Sequence, residues 1–150
     1  MDLQILGISG SLRKGSYNTA LLRAAKELAP GGVQIDIADL TAVPLYNEDI
    51  HQHGFPPSVV ALRQKIAAAD ALLIATPEYN YSIPGVLKNA IDWVSRPPDQ
   101  PFGGKPLAIM GASPGGAGSM RSQYHLRQVC VFLDLLVLIK PEVFVSHAHE

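Results

Sequence analysis

The sequence is poor in cysteine, in net charge and in long apolar runs. Cys130 is the one cysteine in 150 residues, which excludes an internal disulfide and any cysteine-based zinc cluster and agrees with a reducing cytoplasm. Twelve basic residues against thirteen acidic ones leave a net charge of −1, so there is no bulk attraction for nucleic acid or an anionic membrane. The longest apolar stretch, Val129 to Ile139, is broken by Asp134 and falls short of the roughly 20 residues that a membrane-spanning helix needs. Asp2 and Gln4 interrupt the first apolar run and no basic leader precedes it; we expect no signal peptide and a soluble, cytoplasmic protein. Repeats and low-complexity segments are absent. So is any Ser-His-Asp set, paired-carboxylate pocket or metal-ligand cluster, and the expectation is of no catalytic residue and no metal ligand from the chain itself.

What is present is a folded globule: 47% hydrophobic and 17% charged residues, in a length that fits one domain over 1–150. Apolar runs alternate with helical patterns. The runs are Leu3–Ser9, Val33–Ala38, Ala71–Thr76, Pro106–Met110 and Leu136–Ile139, the last continuing as Glu142–Val145 after Pro141. Strands this uniformly apolar are buried on both faces, as in a parallel sheet covered by helices. Helices are expected from Thr19 to Ala29, stopped by Pro30-Gly31-Gly32, from about Ser58 to Ala69, from near Pro84 past Trp93, and from about Met120 to Leu133. Such a β-α repeat predicts a doubly wound α/β sheet with right-handed crossovers, and ligands on such sheets lie at the carboxyl ends of the strands. A sheet of this type ordinarily ends with a helix over its central strands; here Glu150 follows just past strand five, so either the chain is truncated or a neighbouring subunit covers that face.

The loop after the first strand reads Gly10-Ser-Leu-Arg-Lys-Gly-Ser-Tyr-Asn-Thr19. A strand, a turn of small polar residues and a helix make an anion-binding device, because free backbone N–H groups and about half a positive charge converge at the helix start. Ser11, Ser16 and Thr19 add hydroxyls, Asn18 an amide and Arg13 a planar cation. The pocket suits a phosphate monoester. It is neither a P-loop, since Ser16 stands where lysine is required, nor the dinucleotide motif, since no G-x-G-x-x-G follows the strand. A phosphoacceptor site is excluded as well, because Ser9 and Thr76 occupy the strand ends where acidic residues would be needed.

Two further loops emerge on the same edge. Strand three ends in Thr76-Pro-Glu-Tyr-Asn-Tyr-Ser-Ile-Pro-Gly85, where Tyr79 and Tyr81 offer flat faces and the amides near Glu78, Tyr79 and Asn80 can meet the polar edge of a planar ring. Ser82 is the expected cap of the helix that begins at Pro84. Strand four ends in Gly111-Ala-Ser-Pro-Gly-Gly-Ala-Gly-Ser119, a floor thin enough for backbone to approach a flat ligand. Trp93, Leu87 and Ile91 read as core, Cys130 as buried packing, Asp92 and Arg96 as a helix-surface pair, and His51 and His53 as solvated loop residues.

These segments, together with Pro77-Glu-Tyr-Asn-Tyr-Ser-Ile-Pro-Gly-Val-Leu-Lys-Asn-Ala-Ile-Asp-Trp93 and Arg121-Ser-Gln-Tyr-His-Leu-Arg-Gln128, resemble the NADPH-dependent FMN reductases, a group that includes bacterial quinone and chromate reductases. The resemblance implies a flavodoxin-like five-stranded parallel sheet in the order 2-1-3-4-5, from which the last helix is missing here. It implies FMN, with its phosphate on Ser11, Arg13, Ser16, Asn18 and Thr19. Pro77, Glu78, Tyr79, Asn80 and Ser82 would line the isoalloxazine, with Ser113, Gly115, Gly116 and Gly118 approaching from the strand-four loop. NADPH or NADH would be the electron donor, and a quinone, azo dye, metal oxyanion or free flavin the small-molecule acceptor. A homodimer or homotetramer is implied, with Arg121 and Tyr124 at an interface. The alternative is a flavodoxin-like FMN electron carrier without nicotinamide turnover, which a net charge of −1 disfavours because such carriers tend to be strongly acidic.

Overall fold

A computed structural model describes residues 2–150. Its elements are β1 (Leu3–Ser9), α1 (Tyr17–Glu27), β2 (Val33–Ala38), α2 (Glu48–His51), α3 (Pro57–Ala68), β3 (Ala71–Ala75), α4 (Gly85–Val94), β4 (Pro106–Ala112), α5 (Met120–Phe132), β5 (Leu136–Val137) and β6 (Val143–Val145). The strands pair in the order β2-β1-β3-β4-β5, with β6 also on β4, and every pairing is parallel. No helix among the described residues is long and apolar enough to cross a membrane.

Strand alternation divides the core. Leu6, Ile8, Leu72, Ile74, Leu107 and Ile109 point to one face and pack with residues of α3, α4 and α5. Leu73 and Met110 point to the other, where Leu21, Leu22 and Ala25 of α1 meet them. One face therefore carries three helices and the other only α1. Beyond α1, the amino-terminal halves of the strands leave an apolar groove of about 690 Å3, lined by Ile5, Ala71, Leu73, Pro106, Ala108 and Leu138 among others.

The expected fifth strand is two short pieces on one edge of β4. β5 pairs with Pro106 and Leu107, and β6 with Met110 to Ala112. Pro141 between them has no N–H and cannot continue a ladder. The buried Gln123 of α5 holds β6 in place, its Nε2 donating to the Val143 carbonyl at 2.9 Å.

Local chemistry also corrects smaller expectations. α1 starts at Tyr17 rather than Thr19, because Ser16 is the cap and accepts from the Thr19 N–H at 3.2 Å. Ser82 does not cap α4, whose N-cap position is Pro84 without a side-chain bond; its Oγ lies 3.0 Å from His125 Nδ1. Asp92 pairs with Lys88 at 2.7 Å instead of Arg96, whose guanidinium lies over the Tyr46 ring. His51 sits on α2 rather than in a solvated loop, with its ring near Phe55 and the buried Trp93. Trp93, Leu87, Ile91 and Cys130 are core, as expected, and burial pushes the Cys130 thiol up to about 11, so it stays protonated.

Gly111 is the most tightly enclosed of the glycines. A Cβ there would come within 1.9 Å of Ser119 Oγ and 2.4 Å of the Thr76 carbonyl oxygen, and backbone cannot step aside. Gly111→Ala should lower stability in urea or thermal melts by about 1–3 kcal/mol, the usual cost of overpacking. Gly31→Ala, which meets nothing within 4 Å, should shift it by no more than about 0.5 kcal/mol.

Candidate active site

The loops after β1, β3 and β4 gather at the carboxyl edge of the sheet. The Gly10 N–H donates to the Ala75 carbonyl at 2.8 Å, and the Thr76 N–H to that of Met110 at 3.0 Å, extending the sheet ladder into the loop bases. Asn18 locks the first loop to the third. Its Nδ2 donates to the Ala112 carbonyl at 3.0 Å and its Oδ1 accepts from the Ala112 N–H at 2.9 Å, so a buried side chain imitates a neighbouring strand.

A cleft of about 420 Å3 opens between the loops, lined by Ser11, Arg13, Ser16, Tyr17, Asn18, Pro77, Glu78, Tyr79, Ala112, Ser113 and Pro114. The structure thus brings together four of the five expected phosphate residues, three of the β3-loop residues and Ser113. Thr19 faces the other side of the β1 loop, its hydroxyl 2.8 Å from that of Ser9. Asn80, Ser82, Gly115, Gly116 and Gly118 are not in the lining. Gly118 has φ +53°, and a Cβ on it would reach 2.7 Å from the Phe144 backbone, so its missing side chain serves the packing of β6.

The cleft is electropositive at its α1 end. Arg13 makes no ion pair among the described residues, and its guanidinium lies 5.1 Å from the Tyr17 ring centroid. No acidic residue stands in the first turn of α1, and the N–H groups of Tyr17 and Asn18 have no partner among the described residues. Free helix-start amides beside an unpaired arginine fit a phosphate dianion, and a cleft of this size falls in the range of small-molecule sites.

The β3 loop is a two-residue hairpin. Tyr79 and Ser82 exchange backbone hydrogen bonds at 3.2 and 3.0 Å, and Asn80 and Tyr81 take φ +53° and +62°. Two consecutive positive φ values define the mirror-image turn that normally selects Asn-Gly. Asn80 obeys that rule; Tyr81 does not, and a bulky side chain there is strained. The Arg121 guanidinium covers the Tyr81 ring at 3.7 Å. Arg121 is fixed by Glu78, whose Oε1 accepts from its Nε at 2.6 Å and whose Oε2 accepts from the backbone N–H groups of Arg121 at 3.0 Å and Ser122 at 3.3 Å. Ser119 precedes α5 in a left-handed conformation without a side-chain cap, so Glu78 caps that helix from another loop. Sequence reasoning placed Glu78 on a ring wall and Arg121 at an interface and missed their bond. The available signal was that Met120-Arg-Ser-Gln123 offers no acid of its own to a helix start.

Glu78→Gln keeps the shape and removes the charge. It leaves Arg121 without an anion and weakens the cap, and should cost about 1–3 kcal/mol in chemical denaturation, with chymotryptic cleavage after Tyr79 and Tyr81 accelerating in parallel.

Comparison with known proteins fits this geometry. The family description "NADPH-dependent FMN reductase" matches residues 3–150. An NAD(P)H-dependent FMN reductase of Pseudomonas aeruginosa is 63% identical over 149 residues, covering 99% of this chain and 80% of the relative. A quinone reductase of Escherichia coli is 51% identical over 142 residues, covering 93% of this chain and 76% of its own. Among solved structures, the flavoenzyme NAD(P)H:(acceptor) oxidoreductase of Paracoccus denitrificans superposes with a TM-score of 0.89 at 37% identity, over 95% of this chain and 79% of that one. Sheet order, loop chemistry and sequence agree from one end to the other: the chain belongs to the NADPH-dependent FMN reductase family.

Proposed function

We propose that the protein binds FMN in the cleft of Ser11, Arg13, Ser16, Pro77 and Ser113 and transfers two electrons from NADPH or NADH to a small-molecule acceptor. Quinones are the first such acceptors, with azo dyes, metal oxyanions and free flavins in the same class. The observation that carries this reading is the unpaired Arg13 beside the free Tyr17 and Asn18 amides, a site for two negative charges on the edge of a cleft with aromatic residues.

FMN, when bound, supplies the redox chemistry by taking a hydride from the nicotinamide and passing the electrons to the acceptor. The protein's part is to hold and orient. Ser16 Oγ accepts from the Thr19 N–H and Ser11 Oγ from the Arg13 N–H, so each hydroxyl keeps its proton for a phosphate oxygen. Asn18 spends its oxygen on Ala112 and so positions the β4 loop as much as it offers a donor. The N–H groups of Glu78 and Asn80 have no partner among the described residues and suit the polar edge of a flavin ring. Tyr79, half exposed, supplies a flat face, and Ser113 Oγ shapes the β4 loop by accepting from the Gly115 N–H at 3.1 Å. Gly116 and Gly118 follow it, while Ser82 steadies the hairpin from its far end. Thr19 acts from behind the loop, through Ser9.

Assembly as a homodimer or homotetramer belongs to the same reading. Tyr124 is 46% exposed beside Phe144, and Arg121 presents the outer side of its guanidinium after pairing with Glu78. A cytoplasmic setting, where reduced nicotinamides are plentiful, goes with it.

The deciding experiment is spectroscopic. The purified protein supplied with FMN should show bound-flavin absorbance that bleaches on anaerobic addition of NADPH and returns with a quinone; a folded protein that takes up no flavin ends the reading. Arg13→Ala should weaken FMN binding by about 1.5–3 kcal/mol, the worth of a charge-assisted contact, read from quenching of flavin fluorescence on titration.

A further inference from the structure

On the opposite side of the β1 loop lies a second cleft, about 300 Å3 in volume, between that loop, α1 and the end of β2. Arg13 and Ser11 line both clefts, so the loop is a ridge with Arg13 on its crest. The second cleft adds Lys14 and Arg23, with Thr41 and Asp39 at the β2 end. Lys14 and Arg23 sit nine positions apart in sequence and line the same cleft, Arg23 lying one helical turn beyond Thr19 on α1. Neither they nor Arg13 form an ion pair or side-chain hydrogen bond among the described residues. With Arg13 given to the flavin phosphate of the first cleft, Lys14 and Arg23 against Asp39 leave a net +1 in the remaining lining.

We propose that this second cleft receives the 2′-phosphate of NADPH and so sets the preference for NADPH over NADH. The inference rests on the flavin reading for where the nicotinamide lies, in the neighbouring cleft. The chemistry is matched in charge and kind: a phosphate monoester carries about −1.5 to −2 near neutral pH, and a guanidinium with an ammonium can hold it from two directions. NADH presents only a hydroxyl at that position. Asp39 is ionised in the same lining and offsets one of the cations, though it forms an ion pair with none of them. Its Oδ1 accepts from the Thr41 N–H at 2.8 Å, and hydrogen bonds from Thr41, first from its side chain, hold the carboxyl below its usual range, with Lys65 the cation that contributes. An acid at the end of the second strand also serves a ribose hydroxyl in nucleotide-binding sheets, so the cleft can take the unphosphorylated ribose, more weakly.

The test uses calorimetry and steady-state kinetics on the FMN-loaded protein and its Lys14→Ala/Arg23→Ala variant. The wild type should bind 2′,5′-ADP at least about tenfold more tightly than 5′-ADP, and the variant should bring the two within about threefold, as loss of charge-assisted contacts requires. In parallel, the variant's KM for NADPH should rise about tenfold or more while its KM for NADH stays within about twofold and its flavin content is unchanged. Equal affinity of the wild type for the two nucleotides, or equal losses for NADPH and NADH in the variant, would overturn the proposal. So would displacement of 2′,5′-ADP by inorganic phosphate in a protein that does not distinguish NADPH from NADH, which marks a free-phosphate site. Failure of the flavin reading shows separately, as missing flavin absorbance, and the nucleotide comparison is then read by calorimetry on the flavin-free protein.

Discussion

The carboxylate of Glu78 accepts from two backbone N–H groups at the start of α5 and from the guanidinium of Arg121, with its side chain only 8% exposed. No other contact joins so many parts of the site. α5 has no acid in its first turn, so a negative charge from the β3 loop meets the positive end of its dipole. A carboxylate this buried is tolerable because its hydrogen-bonding capacity is used. Arg121, held in turn, covers Tyr81 and stabilises a turn with two consecutive positive φ values. The shape of the cleft wall at Tyr79 thus depends on a charge one residue earlier in the chain and on a helix more than 40 residues later.

The other ties between the loops are of the same type. Asn18 bridges to Ala112, the Thr76 hydroxyl lies 3.2 Å from that of Ser122, and Gly111 lets Ser119 close over the strand. Each brings a side-chain polar atom, or the lack of a side chain, to the carboxyl end of a parallel strand, where the sheet ladder runs out and backbone groups need new partners. The site is therefore fixed by the same bonds that finish the sheet. No disulfide takes part, because Cys130 is a lone buried thiol.

That division explains what could be read in the sequence. β1 and β2 start and stop where their apolar runs do, although only the second half of β1 is buried on both faces, and β2, at the sheet edge, exposes Gln34 and Asp36. The β1 loop was legible as one wall of the cleft because its polar residues are nearly consecutive. Asn18 was recognised as important but given only one role; its partner is 94 positions away, and no spacing rule reaches that far. The bond between Glu78 and Arg121, 43 positions apart, was hidden for the same reason. The short helix α2 was lost because Asn47 caps four residues that carry no apolar periodicity, and His51 takes its surroundings from Tyr46, Phe55 and Trp93 rather than from its polar neighbours. The split of the fifth strand was visible at Pro141, yet read as an interruption rather than as two pairings with different parts of β4.

The β1 loop departs from what stability alone would favour. Arg13, Lys14 and Arg23 are neighbours with Asp39 the one acid in their cleft and no ion pair between them, on a chain whose net charge is −1, and other acids are paired elsewhere: Asp36 on Lys65, Asp92 on Lys88, Glu78 on Arg121. Like charges left together repel, and amides left free at a helix start forgo hydrogen bonds to protein. On the far side of the cleft, Tyr81 occupies a conformation suited to glycine. Local departures of this kind concentrate where a fold serves a ligand. Here their signs agree, with positive charge and open donors at one end and a strained aromatic turn at the other, which is the distribution an anionic tail joined to a flat ring would relieve.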